Sequence, residues 1–343
     1  MPERTLVHRD PGGTVSLYET ERRYTSLLEA RYGERFTAYR KAWKDRSEGG
    51  GPGDFPLSLD LSTNSGCQLR CVMCPLPRRR GAGGPGRPME MPLFVRLMDE
   101  AREAGLPAMT FGLGSEPLLD PGIGTRVKTA IASGVMDVRL GTNAQALDRR
   151  ASEKLVGSGL TRLEVSVDAA GPASYSRIRC GGDWDTLVAN IEGFLDVRAK
   201  SGQKEPLLRL SFLNLPANRG ELPLFLAAWE GKADMISVQD PVWFPESLLP
   251  PPPPPAPGKV LCRQPWQRLG VQDDGWLWPC CSWHGERLLG ISNANNGIAV
   301  AWGGKAMKAV RRSLESDSPP QGCAVCASAG MTPAGRGPEN AGN

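Results

Sequence analysis

Three cysteines fall within eight residues, Cys67, Cys71 and Cys74, in the spacing Cx3Cx2C. Thiolates select soft metals such as zinc, copper(I) and iron–sulfur clusters. Three ligands do not complete a four-coordinate site. Either a fourth ligand arrives from elsewhere, as in a structural zinc knuckle, or the loop holds an iron–sulfur cubane with one iron left open to a further ligand. A second group of cysteines, Cys262, Cys280, Cys281, Cys323 and Cys326, follows near the C-terminal end and closes with a Cx2C pair. Four thiolates from that group suit zinc as well as they suit a cluster.

The elements that must position these thiols are legible as alternation. Leu59, Asp60, Leu61 and Ser62 read as a short strand, so the first cysteine loop sits at a strand end. From Asp54 to about residue 245, short apolar runs alternate with helical stretches, the sign of βα units on a parallel sheet. The strands are expected over Ser58–Ser62, Ala108–Gly112, Asp137–Gly141, Arg162–Val167, Leu207–Leu213 and Met235–Val238. Helices are expected over Pro92–Ala104, Gly124–Ser133, Arg149–Ser158, Trp184–Lys200 and Glu221–Trp229. In such architectures ligand sites gather at the carboxyl ends of the strands, which is where the loop falls.

Outside this region, Leu17–Lys44 carries apolar residues every three or four positions and predicts an amphipathic helix interrupted near Gly33. Residues 1–16 show no period and are expected to be loose. The Gly-rich stretch Ser47–Asp54 separates the helix from the cysteine-bearing region. Pro245–Gly258, with its run of prolines, reads as a stiff linker, and the Gly- and Ala-rich chain after Cys326 as a disordered tail.

The formal net charge of +4 over 343 residues is too weak to argue for nucleic acid, and none is expected as a partner. The run Arg78-Arg79-Arg80 lies in a Gly-rich loop and reads as solvated. No apolar run is long enough to span a bilayer and the N-terminus lacks a signal peptide's apolar core, so the expected location is the cytoplasm, with no membrane partner. In that compartment nine cysteines point to metal ligation rather than to disulfides.

Cys67, Cys71 and Cys74, with Met73 before the last and Pro75 after it, resemble the cluster motif of the radical S-adenosylmethionine (radical SAM) superfamily. The resemblance implies a [4Fe–4S] cluster whose open iron binds SAM, reductive cleavage of SAM to a 5′-deoxyadenosyl radical, and removal of a hydrogen atom from a substrate. It implies an α/β fold, a partial (β/α)6 TIM-like barrel over residues 57–245. The N-terminal helical extension is then 1–56, the Pro-rich linker 246–258, a small cysteine-rich twitch or SPASM-like domain 259–328, and the tail 329–343. Gly112-Leu-Gly114-Ser115-Glu116-Pro117 resembles the family's GGEP motif, which receives the SAM amino group, with Ser115 where glycine is usual. A carboxylate suits an ammonium, and glycine lets the backbone approach. Asn143 in Gly141-Thr142-Asn143, and Ser166 and Asp168 in Ser166-Val167-Asp168, resemble strand-end segments that line the SAM or substrate pocket. Asn and Asp are also ordinary turn formers. Of Arg177 and Arg179, Arg177 is ranked first to reach the SAM carboxylate.

The C-terminal cysteines resemble the ligand set of an auxiliary [4Fe–4S] cluster, assigned to Cys262, Cys280, Cys323 and Cys326. An Asp274-Gly275 turn predicts a hairpin that brings Cys262 back toward Cys280. Cys280 and Cys281 are neighbours in an extended chain and face opposite ways. Cys180, on the loop Arg179-Cys180-Gly181-Gly182, is left as a hydrogen-atom donor in the manner of radical SAM epimerases, or as a packing thiol. His284 suits a surface turn better than a proton acceptor. The reading favours oxidation of a small-molecule natural-product intermediate such as an aminocyclitol or sugar, with a flavodoxin- or ferredoxin-type electron donor. Epimerisation and peptide maturation are the enzymatic alternatives, and a structural or redox-sensing cluster protein is the non-enzymatic one. Residues 1–56 are too short and too helical for the winged-helix domain usual in peptide maturases.

Overall fold

The computed structural model describes residues 7–9, 15–77, 86–250, 262–283, 289–290, 297–316, 319–320 and 323. Arg78–Arg80, His284, Cys326, the prolines from 251 to 255 and the tail lie outside the described residues.

The framework is a run of parallel strands with helices packed on one face. Strands β3 (Ser58–Leu61), β4 (Ala108–Phe111), β5 (Asp137–Thr142), β6 (Arg162–Ser166), β7 (Leu207–Leu213) and β8 (Met235–Gln239) follow the expected six within two residues at each end. They pair in parallel in chain order. Between them lie α3 (Met91–Ala104), α4 (Ile123–Ala132), α5 (Arg149–Val156), α6 (Pro172–Ile178), α7 (Trp184–Lys200) and α8 (Leu222–Trp229). On each strand the alternate residues, among them Leu59, Met109, Val138, Leu163, Leu210 and Ile236, join the main buried cluster under the helices. Period-two alternation then turns Asp60, Thr110, Arg139, Glu164, Arg209 and Ser237 onto the inner face. Nonpolar burial drives the outer layer, and the inner face is held by ion pairs.

Two additions lengthen the sheet. Strand β9 (Arg268–Val271), from the C-terminal cysteine region, pairs in parallel with β3, so the sheet has a seventh parallel strand. The expected Asp-Gly hairpin follows: β9 returns antiparallel as β10 (Trp276–Trp278) and then β11 (Leu289–Gly290), with Gly275 at φ +85° in the turn. At the other edge, residues expected to be loose supply β1 (Val7–Arg9) and β2 (Val15–Leu17), an antiparallel hairpin that pairs with β8. The correction has a plain cause: β8 is an open edge with unpaired backbone groups, and a strand added there satisfies them without any need for an apolar period.

The predicted N-terminal helix is two, α1 (Tyr18–Tyr32) and α2 (Glu34–Ser47), divided at Gly33, which has φ +54°. Tyr24, Leu28, Phe36, Tyr39 and Trp43 pack with Leu57, Ala108 and Leu207 at the amino ends of the strands. These helices close the end of the sheet opposite the cysteine loop.

Candidate functional site

The first cysteine loop leaves β3 and crosses the carboxyl ends of the strands. Its backbone is tied to the last residue of α6 and the loop beyond it: Val72 N–H donates to Ile178 O at 3.0 Å and Arg70 N–H to Cys180 O at 2.8 Å. Underneath, Leu69, Cys71, Met73, Ile178 and Leu215 form a small buried apolar cluster, with Cys67 and Cys74 packed on it. Cys67 and Cys71 carry free thiols, and burial pushes Cys67 up to about 12, with Glu116, Cys71 and Cys74 adding to the rise. The three sulfurs therefore share one electrostatic environment. Among the described residues, no three Cys, His, Asp or Glu side chains converge as a ready-made cage for a single metal ion.

Two polar bridges lead from this loop into the strand ends. In the first, Asn143 Nδ2 donates to Cys67 Sγ at 3.6 Å while Asn143 N–H donates to Glu116 Oε2 at 2.8 Å. The buried Glu116 also accepts from Thr142 Oγ1 at 2.6 Å and from Leu118 N–H at 3.1 Å. A carboxylate offers about four acceptor directions, so with three protein donors one remains for a ligand. Burial raises the Glu116 carboxyl above its usual range, and these donors, with the charge of Arg179, pull it back. The turn that delivers it depends on glycine: Gly112 has φ +120°, and a Cβ there would stand 2.6 Å from Gly141 O. Gly114 also has positive φ and lies beside Trp278, while Ser115 receives a bond from Ser62 Oγ at 3.2 Å.

In the second bridge, Arg179 Nη1 donates to Cys71 Sγ at 3.6 Å and Nη2 to Asp168 Oδ2. Asp168 is fully buried at φ +61°, and its Oδ1 accepts from Leu213 N–H at 2.9 Å. Burial disfavours the Arg179 charge, but Asp168 and Cys71 hold the guanidinium protonated. Arg177, the first choice from sequence, is exposed and, among the described residues, its side chain donates to Ala217 O at 3.4 Å. Helix α6 ends at Ile178, so Arg177 is on its outer side while Arg179, already past the helix, turns inward. Ser166 is half-buried at the end of β6, and Cys180 is half-buried with its thiol on Arg177 O at 3.4 Å. Cys180 also enters the electrostatics of Cys71. Thr142 entered the sequence reading only as part of its strand-end segment, and Gln68, bonded to Asn143 Oδ1 at 3.1 Å, was not singled out.

The donors fit thiolate ligands. An amide N–H and a guanidinium aimed at two of the three sulfurs stabilise negative charge there, as thiolate ligation requires. In the C-terminal region Cys323 is buried with Trp266, Trp283, Val310 and Leu314, and Cys262 and Cys280 pack on the same cluster. Cys281 is exposed, and burial, with Cys281 adding to the rise, pushes the Cys262 thiol up to about 11. Three of the four assigned thiols are thus gathered, and the fourth, Cys326, lies outside the described residues.

Residues 61–201 match the model of the Radical SAM superfamily. They form a radical SAM domain. A probable GTP 3′,8-cyclase of Methanococcus maripaludis (strain C6) is 27% identical over 169 residues, 49% of this chain and 53% of that protein. The chain spans about half the length of the curated relatives it matches. Among solved structures, native anSMEcpe with bound AdoMet has a TM-score of 0.53 at 14% identity, over 74% of this chain and 83% of that one. Streptococcus suis SuiB bound to precursor peptide SuiA gives 0.52 at 15%, over 84% and 72%. At such identities the likeness is one of fold, and it extends beyond the radical SAM domain itself. No helix among the described residues is long and apolar enough to cross a membrane.

Proposed function

We propose that this chain is a radical SAM oxidoreductase acting on a small polar molecule. Cys67, Cys71 and Cys74 would hold a [4Fe–4S] cluster, and Cys262, Cys280, Cys323 and Cys326 an auxiliary one. When bound, the first cluster supplies the electron that cleaves SAM to a 5′-deoxyadenosyl radical. The observation that carries the reading is the bridge Cys67–Asn143–Glu116: one side chain and its backbone N–H fix a cluster thiol and a ligand-ready carboxylate in a single frame. Glu116 takes the SAM ammonium with its remaining acceptor direction. Arg179, held by Asp168 beside Cys71, faces the same loop and is the better placed arginine for the SAM carboxylate. The apolar cluster under Met73 keeps water from the thiolate side.

The reaction favoured is oxidation, with the auxiliary cluster as the exit for the second electron. Epimerisation through Cys180 is the nearest rival, because that thiol stands at the cysteine loop. The M. maripaludis relative, a probable GTP 3′,8-cyclase, adds a purine nucleotide as a second substrate class. Anaerobically reconstituted protein, given SAM and dithionite, should form 5′-deoxyadenosine. Candidate sugars, aminocyclitols and GTP are then added in heavy water. An oxidation leaves no solvent deuterium in the product and survives Cys180→Ala. Deuterium in the product, lost with turnover in Cys180→Ala, would establish epimerisation instead, and turnover of GTP alone would establish the nucleotide reading.

A further inference from the structure

Strands β9, β3, β4 and β5 are consecutive in the sheet and carry Arg268, Asp60, Thr110 and Arg139 on the face turned away from the helices. Each has a polar atom shut off from water and without a hydrogen-bond partner among the described residues: Nε of Arg268, Oδ1 of Asp60, Oγ1 of Thr110 and Nε of Arg139. Folded proteins leave few such atoms, so four on adjacent strands call for an explanation. The ties that do exist are loose. Arg268 Nη1 is 3.3 Å from Asp60 Oδ2, and Arg139 Nε is 3.6 Å from Asp137 Oδ1, an oxygen that already accepts from Tyr24.

The inner face is not sealed. Arg139, Arg209 and Arg268 each keep 16% of their side-chain surface and Glu164 keeps 27%, so open space adjoins them. Four arginines, 139, 162, 209 and 268, stand against three carboxylates, Asp60, Asp137 and Glu164. Glu164 is shared by Arg162 at 3.0 Å and Arg209 at 3.3 Å, so the one surplus positive charge lies with that group, while Arg139 and Arg268 each face a single carboxylate through a long contact and keep N–H groups to spare. Depth follows from the strands. Arg139 is three residues below Thr142, which bonds Glu116, and Asp60 is two residues below Ser62, which bonds Ser115. At roughly 3.3 Å per residue, the group lies about 7–10 Å beneath the proposed SAM contacts. Helices α1 and α2 close the space below.

We infer that Arg139, Arg268, Asp60 and Thr110 anchor the substrate, a small molecule bearing a carboxylate or phosphate with a hydroxyl or amine beside it. The oxyanion takes the two guanidinium N–H groups and the neighbouring donor takes Asp60 Oδ1, with Thr110 serving either. A molecule about the length of a monosaccharide or an amino acid then spans from this anchor to the Glu116 layer. The substrate role rests on the radical SAM reading proposed above, whereas the anion site itself does not.

The test uses the full reconstituted chain and two probes, inorganic phosphate and malonate, titrated calorimetrically at constant ionic strength. At least one should bind, phosphate marking a phosphorylated substrate and malonate a carboxylated one. Arg139→Gln and Arg268→Gln should each weaken that binding tenfold or more. Thr110→Val, which keeps shape and charge, should weaken it several-fold with an unchanged unfolding midpoint, and it decides the matter if the arginine variants do not fold. Lys308→Gln/Arg312→Gln, on a separate surface groove, should leave binding unaltered. The inference is overturned if neither probe binds, if binding survives the three inner substitutions, or if the surface pair abolishes it. Formation of 5′-deoxyadenosine is followed separately: anion binding without it refutes the radical reading alone, and its formation without anion binding refutes this inference alone.

Discussion

At the scale of single residues the proposed site works through carboxylates held at different costs. Folding raises the Glu116 pKa, so its ionised form is disfavoured in the fold. Its contribution to stability is present below the unfolded value and is lost as pH rises through the raised folded value. SAM binding needs the opposite state, the carboxylate. Affinity for SAM should therefore fall on acidification, starting above the ordinary 4.5 of a glutamate. Thr142→Val removes a donor that lowers this pKa, so it should move the fall to higher pH, as SAM titrations from neutral to acidic pH would reveal. An unchanged profile would remove Glu116 from the ammonium site. Arg179→Ala should cost about 3–5 kcal/mol in urea unfolding because it strands the buried charge of Asp168, while Arg177→Ala should stay within about 0.5 kcal/mol. Equal effects would mean that the arginines have been told apart wrongly. The cysteines and Glu116 could be proposed from the sequence because each belongs to a compact motif at a strand end. The grounds for proposing Arg179 over Arg177 could not be read there, since they turn on the residue at which α6 stops.

At the scale of elements, the strand-to-loop turn after β4 sets where Glu116 stands. Gly112→Ala must either distort a φ of +120° or push against Gly141 O, and it should destabilise the protein by about 1–3 kcal/mol and weaken SAM binding with it. Urea unfolding and a SAM titration on the same variant check both. Loss of stability with full SAM affinity would show that the turn does not position the site. The six strands and their helices could be read because buried parallel strands carry apolar residues on alternate positions and the helices carry them every three or four. The β1–β2 hairpin and strand β9 could not be read in place, because they are recruited by open sheet edges. An edge accepts any extended backbone, so it leaves no signature in the strand that fills it.

At the scale of the whole molecule, β9 carries the C-terminal cysteine region onto the sheet next to the motif that holds Glu116. Gly270 faces Leu113, and Trp278 stands beside Gly114, so a Cβ at 270 would meet Leu113 Cδ2 at 2.9 Å. That contact was not foreseeable from a stretch read as a separate module beyond a proline linker. It places the proposed auxiliary site and the proposed SAM site on neighbouring strands, as an electron exit would need. The central claim is that Cys67, Cys71 and Cys74 hold a cluster with an iron open to SAM. Electron paramagnetic resonance of the dithionite-reduced protein, with and without SAM, tests it most directly when paired with an iron count. The account predicts two cluster signals, one of which shifts on adding SAM. In Cys67→Ala/Cys71→Ala/Cys74→Ala that signal should vanish, about four irons should remain, and no 5′-deoxyadenosine should form. Zinc in place of iron, or a SAM-responsive signal that survives the triple substitution, would contradict it.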